Sequence, residues 1–153
     1  MKYPSWKGFE SKYPDYQEIA FEALARMLFR CRYELGDYLP YFKNQAGNET
    51  ETIVVDGEEI GFQAKYFDNE INAASIEHSI KTAHNNHPNQ SRMIVYTNLE
   101  FGNPRKKGET KTEKQKNIEQ VAKDCNIQLE WMYGDNILDA VLRNELAYDV
   151  FFN

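Results

Sequence analysis

With 153 residues, 41% of them hydrophobic and 27% charged, the chain has enough apolar content for one folding unit with its own core and too few residues for two ordinary ones. That composition excludes a disordered or low-complexity chain, and a net charge of -6, taken alone, argues against gripping nucleic acid by overall attraction to phosphate. The longest apolar runs, such as Met93 to Tyr96, fall far short of the roughly 20 residues a membrane helix needs, so no membrane span is expected. Nothing near Met1 has the apolar stretch of a signal peptide, which makes the cytoplasm the expected compartment. Cys31 and Cys125 are too few for a disulfide framework or a zinc site.

Taken in chain order, Ile19, Phe21, Leu24, Ala25, Leu28 and Phe29 fall at helical spacings, so the first long helix is expected over about 15–32. The aromatic stretch Tyr38 to Gln45 carries Pro40 and reads as a short or edge strand. Thr50 to Val55 is rich in β-branched residues, and Asp56-Gly57 is a turn signal leading into Glu59 to Phe67, so the pair reads as a β-hairpin. In its second arm Ile60, Phe62, Ala64 and Tyr66 alternate with Glu59, Gly61, Gln63 and Lys65, which gives one apolar and one polar face. A helix is expected over about 71–84, a buried strand over 92–96, a basic loop over 102–108 and a helix over 112–124. A strand over 127–132 and a last helix from Asn136 to about Tyr148 complete the order, which predicts an α/β fold with a mixed sheet and helices on its faces.

Charge is uneven along this order. Between Arg105 and Lys123 stand seven basic residues and three acidic ones, a local +4 that leaves -10 on the rest. The strip reads either as a solvated loop and helix face or as a phosphate-contacting surface. Tyr3, Trp6, Phe9, Tyr13 and Tyr16 read as a cover for the core, with a base-stacking surface or dimer contact as the alternative. His78, His84 and His87 have no zinc spacing, and Gly102-Asn103-Pro104 is no phosphate loop.

The polar face of the hairpin is the candidate site. A three-residue loop, Asp56-Gly57-Glu58, would pair Val55 with Glu59 and so set Glu49 opposite Lys65 and Glu51 opposite Gln63. A carboxylate facing an ammonium near the open end of a hairpin suits a divalent metal beside a polarised water. A two-residue Asp-Gly turn would oppose Glu49 to Ala64 instead. Gln63 and Lys65 are poor choices inside a core strand without partners, although an exposed strand face would also account for them.

The runs Lys43-Asn44-Gln45-Ala46-Gly47-Asn48-Glu49-Thr50 and Ile60-Gly61-Phe62-Gln63-Ala64-Lys65-Tyr66 resemble the restriction-endonuclease-like PD-(D/E)XK superfamily. The similarity is greatest to its Mrr-like branch and to nuclease domains of STAND-type anti-phage NTPases, in which D/E-x-K appears as Q-x-K, matched here by Gln63-Ala64-Lys65. Glu49 takes the place of the acidic residue on the preceding strand, and Glu22, within Phe21-Glu22-Ala23-Leu24, that of the Phe-Glu on the first helix. The segment from Ile127 through Gly134 to Leu142 is similar to the tail of the Mrr-like core, so the resemblance spans about 15–142. Two departures are Glu49, where Asp is commoner, and Asn48, where an apolar residue or Gly is often seen.

The resemblance implies a three-layer restriction-endonuclease-like fold and a metal-dependent DNA endonuclease of anti-phage or restriction-type defence. Glu49 and the main-chain carbonyl of Ala64 would hold Mg²⁺ or Mn²⁺, with Glu22 compensating for the neutral Gln63, which offers an amide oxygen in place of a carboxylate. Lys65 would orient or deprotonate the attacking water and offset the charge developing on phosphorus. Lys106, Lys107, Lys111 and Lys114 of the basic strip would contact DNA. Cutting both strands needs two sites, so a homodimer or larger assembly is expected. The apolar ending Val150-Phe151-Phe152-Asn153 suggests one domain of a larger sensor. The alternative is a nucleic-acid or protein binding module that keeps the fold without the chemistry, and an RNA substrate also stays open.

Overall fold

The computed structural model describes residues 2–35 and 52–153; the expected strand over 38–45, Glu49 and Glu51 lie outside the described residues. Ser5 opens the first helix, α1 (Trp6–Lys12), by accepting a hydrogen bond from the Gly8 amide at 3.0 Å. The periodic stretch that follows forms α2 (Gln17–Arg32), with nine of its residues, Ala20 to Phe29 apart from Glu22, buried. The remaining elements are β1 (Ile53–Val55), β2 (Glu58–Lys65), α3 (Ala73–Asn86), β3 (Gln90–Thr97), α4 (Glu113–Asp124), β4 (Gln128–Met132), α5 (Gly134–Leu142) and α6 (Glu145–Phe151).

The strands form one mixed sheet in the order β1-β2-β3-β4, antiparallel between β1 and β2 and parallel from β2 to β4. Parallel neighbours require crossover helices, and α3 and α4 supply them. The alternation read from the sequence of β2 sorts its side chains as expected. Ile60, Phe62 and Tyr66 join Ile94 and Tyr96 in a core beneath α2, α5 and α6. Met93 and Val95, one residue out of phase, join Ile76, Ile80, Ile118 and Ile127 beneath α3 and α4. Two apolar layers on one sheet give the three-layer α/β arrangement expected from the element order.

The hairpin register differs from the favoured expectation. Val55 pairs with Glu58, Val54 with Glu59 and Ile53 with Ile60 across the two-residue turn Asp56-Gly57. Both turn residues have positive φ, 51° and 79°, the backbone of a tight hairpin turn whose twist matches that of the strands. The three-residue loop, with its pairing of Val55 to Glu59, therefore does not form; the expected partners Glu49 and Glu51 lie outside the described residues.

The expected last helix is two helices. Asn144 leaves the helical region (φ -130°, ψ 94°) and caps α6 by accepting from the Ala147 amide at 3.0 Å. The N-terminal aromatics cover the core, as expected: Phe9 is fully buried, and Trp6 packs on Phe9, Phe21 and Phe152 with ring centres 5.5–5.8 Å apart. Tyr3 and Tyr16 of that group stay exposed. Lys12 donates to the carbonyls of Val150 (2.6 Å) and Asn153 (3.0 Å), and Tyr148 donates to the Lys2 carbonyl (2.6 Å), so α1 is fastened to the end of α6.

Candidate active site

Gln63-Ala64-Lys65 ends β2, an interior strand flanked by β1 and β3. Ligand sites in parallel sheets gather at this carboxyl end of the strands. Gln63 lies beside Val95 and Lys65 beside Thr97, which puts both side chains on the α3/α4 side of the sheet. Gln63 is only 5% exposed, whereas Lys65 is half-buried. Among the described residues the Lys65 ammonium has no hydrogen-bond or ion-pair partner, an unusual state for a partly desolvated cation inside a sheet. Ala64 faces the α2 side and packs on that core.

Glu22 comes from α2, on the other side of β2, where Phe21 meets Tyr66 (5.7 Å) and Phe29 meets Phe62 (4.8 Å). Its carboxylate accepts from Arg26, one turn on, at 2.5 Å. Glu18, one turn earlier, is exposed, and Glu59 accepts from the Thr52 hydroxyl at 2.8 Å. Among the described residues no three His, Cys, Asp or Glu side chains gather where a metal ion could be held. Gln63 and the Ala64 carbonyl are hard oxygen donors suited to Mg²⁺, but both are neutral, so the described residues offer only part of a divalent site. Glu49, to which the resemblance gives the remaining charge, lies outside them.

The strip on the loop and α4 is partly neutralised from within. Lys106 stands 3.7 Å from Glu113, Lys111 donates to Glu119 at 2.8 Å, and Lys116 pairs with Glu109 and with Glu113 (3.3 Å). Burial works against ionisation of Glu119, yet hydrogen bonds from Lys111, Trp131 and Gln115 hold it below the usual carboxylate range. Lys114 donates to the Ile71 carbonyl at 2.8 Å. Of the four lysines expected on DNA, Lys107 alone has no such partner among the described residues and projects into solvent.

Residues that sequence reasoning passed over line the same end of the sheet. Thr97 is fully buried and donates to the Leu99 carbonyl at 2.6 Å. Asn98, 7% exposed, holds both main-chain polar groups of Phe67, accepting from its amide and donating to its carbonyl, each at 2.8 Å. The available signal was an Asn directly after an apolar strand. Behind them, Gly134 opens α5 with no room for a side chain: a Cβ there would lie 2.4 Å from the Asn98 carbonyl oxygen and 2.8 Å from the Trp6 ring nitrogen. Tyr133, just before it, has its hydroxyl pushed up to about 12 by burial and by the charges of Glu119 and Glu100.

No protein-family model matches the chain, and no curated protein matches it either.

Proposed function

We propose that the chain is a metal-dependent phosphodiesterase of restriction-endonuclease-like fold, acting on DNA in a defence role, with Lys65 at the centre of its site. The observation that carries the reading is the half-buried Lys65, without a partner among the described residues, at the carboxyl end of an interior strand and two residues after the buried Gln63. A cation without a partner among the described residues suits an anion arriving from outside, and a phosphodiester is the anion that the Q-x-K resemblance names. Lys65 then offsets the charge that grows on the phosphate oxygens as water attacks phosphorus and the ester P–O bond breaks. Gln63 supplies an amide oxygen beside it, and Glu49 supplies the carboxylate. A bound Mg²⁺ or Mn²⁺ would polarise the phosphate and acidify the attacking water.

A second reading, a binding module without the chemistry, is favoured by the Arg26 ion pair that already engages Glu22 and by the absence of an acidic cluster among the described residues. Supercoiled plasmid incubated in Mg²⁺, Mn²⁺ and EDTA with wild type, Lys65→Ala and Glu49→Ala separates the two. Metal-dependent nicking by wild type that falls by about 100-fold or more in Lys65→Ala is the expected result. Wild type that binds duplex without cutting DNA or RNA in any metal would sink the enzyme reading and leave the binding module.

A further inference from the structure

We infer that Asn98 is a positioning residue for Lys65, latching the exit of β2 to the end of β3; the inference rests on the phosphodiesterase reading. The parallel ladder between these strands ends with Lys65 opposite Thr97. One step further, the Phe67 amide and carbonyl would lose their partners as the two main chains part, and an unpaired backbone group in a partly buried place is costly. The Asn98 side chain supplies both missing bonds at 2.8 Å and so reproduces one more rung of the ladder. A side-chain amide is suited to this because it carries a donor and an acceptor together, which a carboxylate does not.

Asn98 is itself fixed from two directions. Thr97 binds the Leu99 carbonyl and turns the chain after β3, while the start of α5 at Gly134 seats directly on the Asn98 carbonyl. Lys65 therefore has the β3 ladder on its N-terminal side and the Asn98 clasp two residues to its C-terminal side. The backbone at these two anchors fixes the Lys65 Cα and the direction of its side chain, and so the volume its ammonium can reach. A catalytic cation must be held to about 0.5 Å, so loosening one anchor should be felt in the chemical step more than in binding.

The test uses Asn98→Ala, which removes both bonds, and Asn98→Asp, which keeps the acceptor for the Phe67 amide and remains informative if the alanine variant fails to fold. Three readouts are compared with wild type on the whole chain: amide exchange at Phe67, the Lys65 side-chain resonances, and plasmid-cleavage kinetics in Mg²⁺ and Mn²⁺. The expected result is a roughly tenfold or greater loss of Phe67 protection with Met93 to Tyr96 unchanged. The Lys65 signals should shift, and kcat should fall about tenfold or more while KM stays within about twofold, in both variants. Unchanged Phe67 exchange and Lys65 signals overturn the latch, and displaced Lys65 signals with unchanged kcat overturn its role in positioning. A wild type that is inert in every metal overturns the phosphodiesterase reading and the catalytic half of this inference, while the exchange data still decide whether the latch exists.

Discussion

Two glycines, Gly61 within β2 and Gly134 at the start of α5, do different jobs, and the atoms that a methyl group would meet separate them. At Gly134 the added Cβ would lie 2.4 Å from the main-chain oxygen of Asn98, and main chain at the end of a central strand has little freedom to retreat. At Gly61 it would meet the end of the Gln90 side chain, 2.6 Å from Nε2. That amide is buried and donates to the Arg92 carbonyl at 3.0 Å, but it can swing aside at the cost of one hydrogen bond. Overpacking of this kind costs about 1–3 kcal/mol, so Gly61→Ala should sit at the low end and Gly134→Ala at or above the high end. Urea unfolding of the two variants checks the order, and equal losses would refute the distinction. At this scale the sequence was half legible. The Gln63 and Lys65 face could be read from alternation in β2, but the closeness of Asn98 to Phe67, 31 positions earlier, depends on strands whose register no local pattern records.

Elements meet through a chain of charges on the α2 side of the sheet. Arg32, at the end of α2, binds Glu130 of β4 through both guanidinium ends, one of them at 2.9 Å, and Arg92 of β3 reaches Glu130 at 3.6 Å and Glu58 of β2 at 3.1 Å. The hydrogen bond from Arg32, helped by the charges of Arg32 and Arg92 and opposed by burial, holds the Glu130 carboxyl below the usual carboxylate range. A carboxyl whose folded pKa is depressed stabilises the fold above its unfolded value, about 4.3 for glutamate, and loses that contribution as pH falls through the lower folded value. Glu130→Gln should therefore be less stable than wild type near neutral pH, by about 1 kcal/mol for a half-exposed pair, with the two unfolding curves converging in acid. Chemical denaturation across pH reads the convergence; a gap that persists in acid would assign the loss to packing instead. In α6, Asn144→Ala should cost about 1 kcal/mol through the lost cap. Helix periodicity gave no hint of this break, because Tyr148 stands seven residues after Val141 and Leu146 four after Leu142, in phase with one uninterrupted helix, and the Asn144 side chain is what ends the run. The hairpin turn was the other point left open by sequence: Asp56-Gly57 fits both a two-residue and a three-residue loop, and the choice was made by the left-handed backbone at both positions.

Across the molecule, the -6 charge and the +4 strip pose a question that the ion pairs answer in part. Three of the strip's six lysines, Lys106, Lys111 and Lys116, are spent on Glu109, Glu113 and Glu119, so the surface facing solvent is less positive than its composition implies. If this surface meets the phosphates of DNA, those glutamates compete with the phosphates for the same cations. Removing the competitors should then strengthen binding. In Glu109→Gln combined with Glu113→Gln, Lys116 and Lys106 lose their carboxylate partners, and each becomes able to displace a counterion from the duplex. Counterion release relates the slope of log K against log salt to the number of phosphates engaged, at about 0.9 per contact, so two freed lysines should steepen it by about 2. Fluorescence anisotropy of a labelled duplex across a salt series in EDTA, which withholds the metal and hence cleavage, measures that slope. The gain should vanish when Lys106→Ala and Lys116→Ala are added to the same background. Affinity and slope that stay at the wild-type values in the double glutamine variant would mean that DNA does not touch the strip, and that its lysines serve to fasten the 102–112 loop to α4.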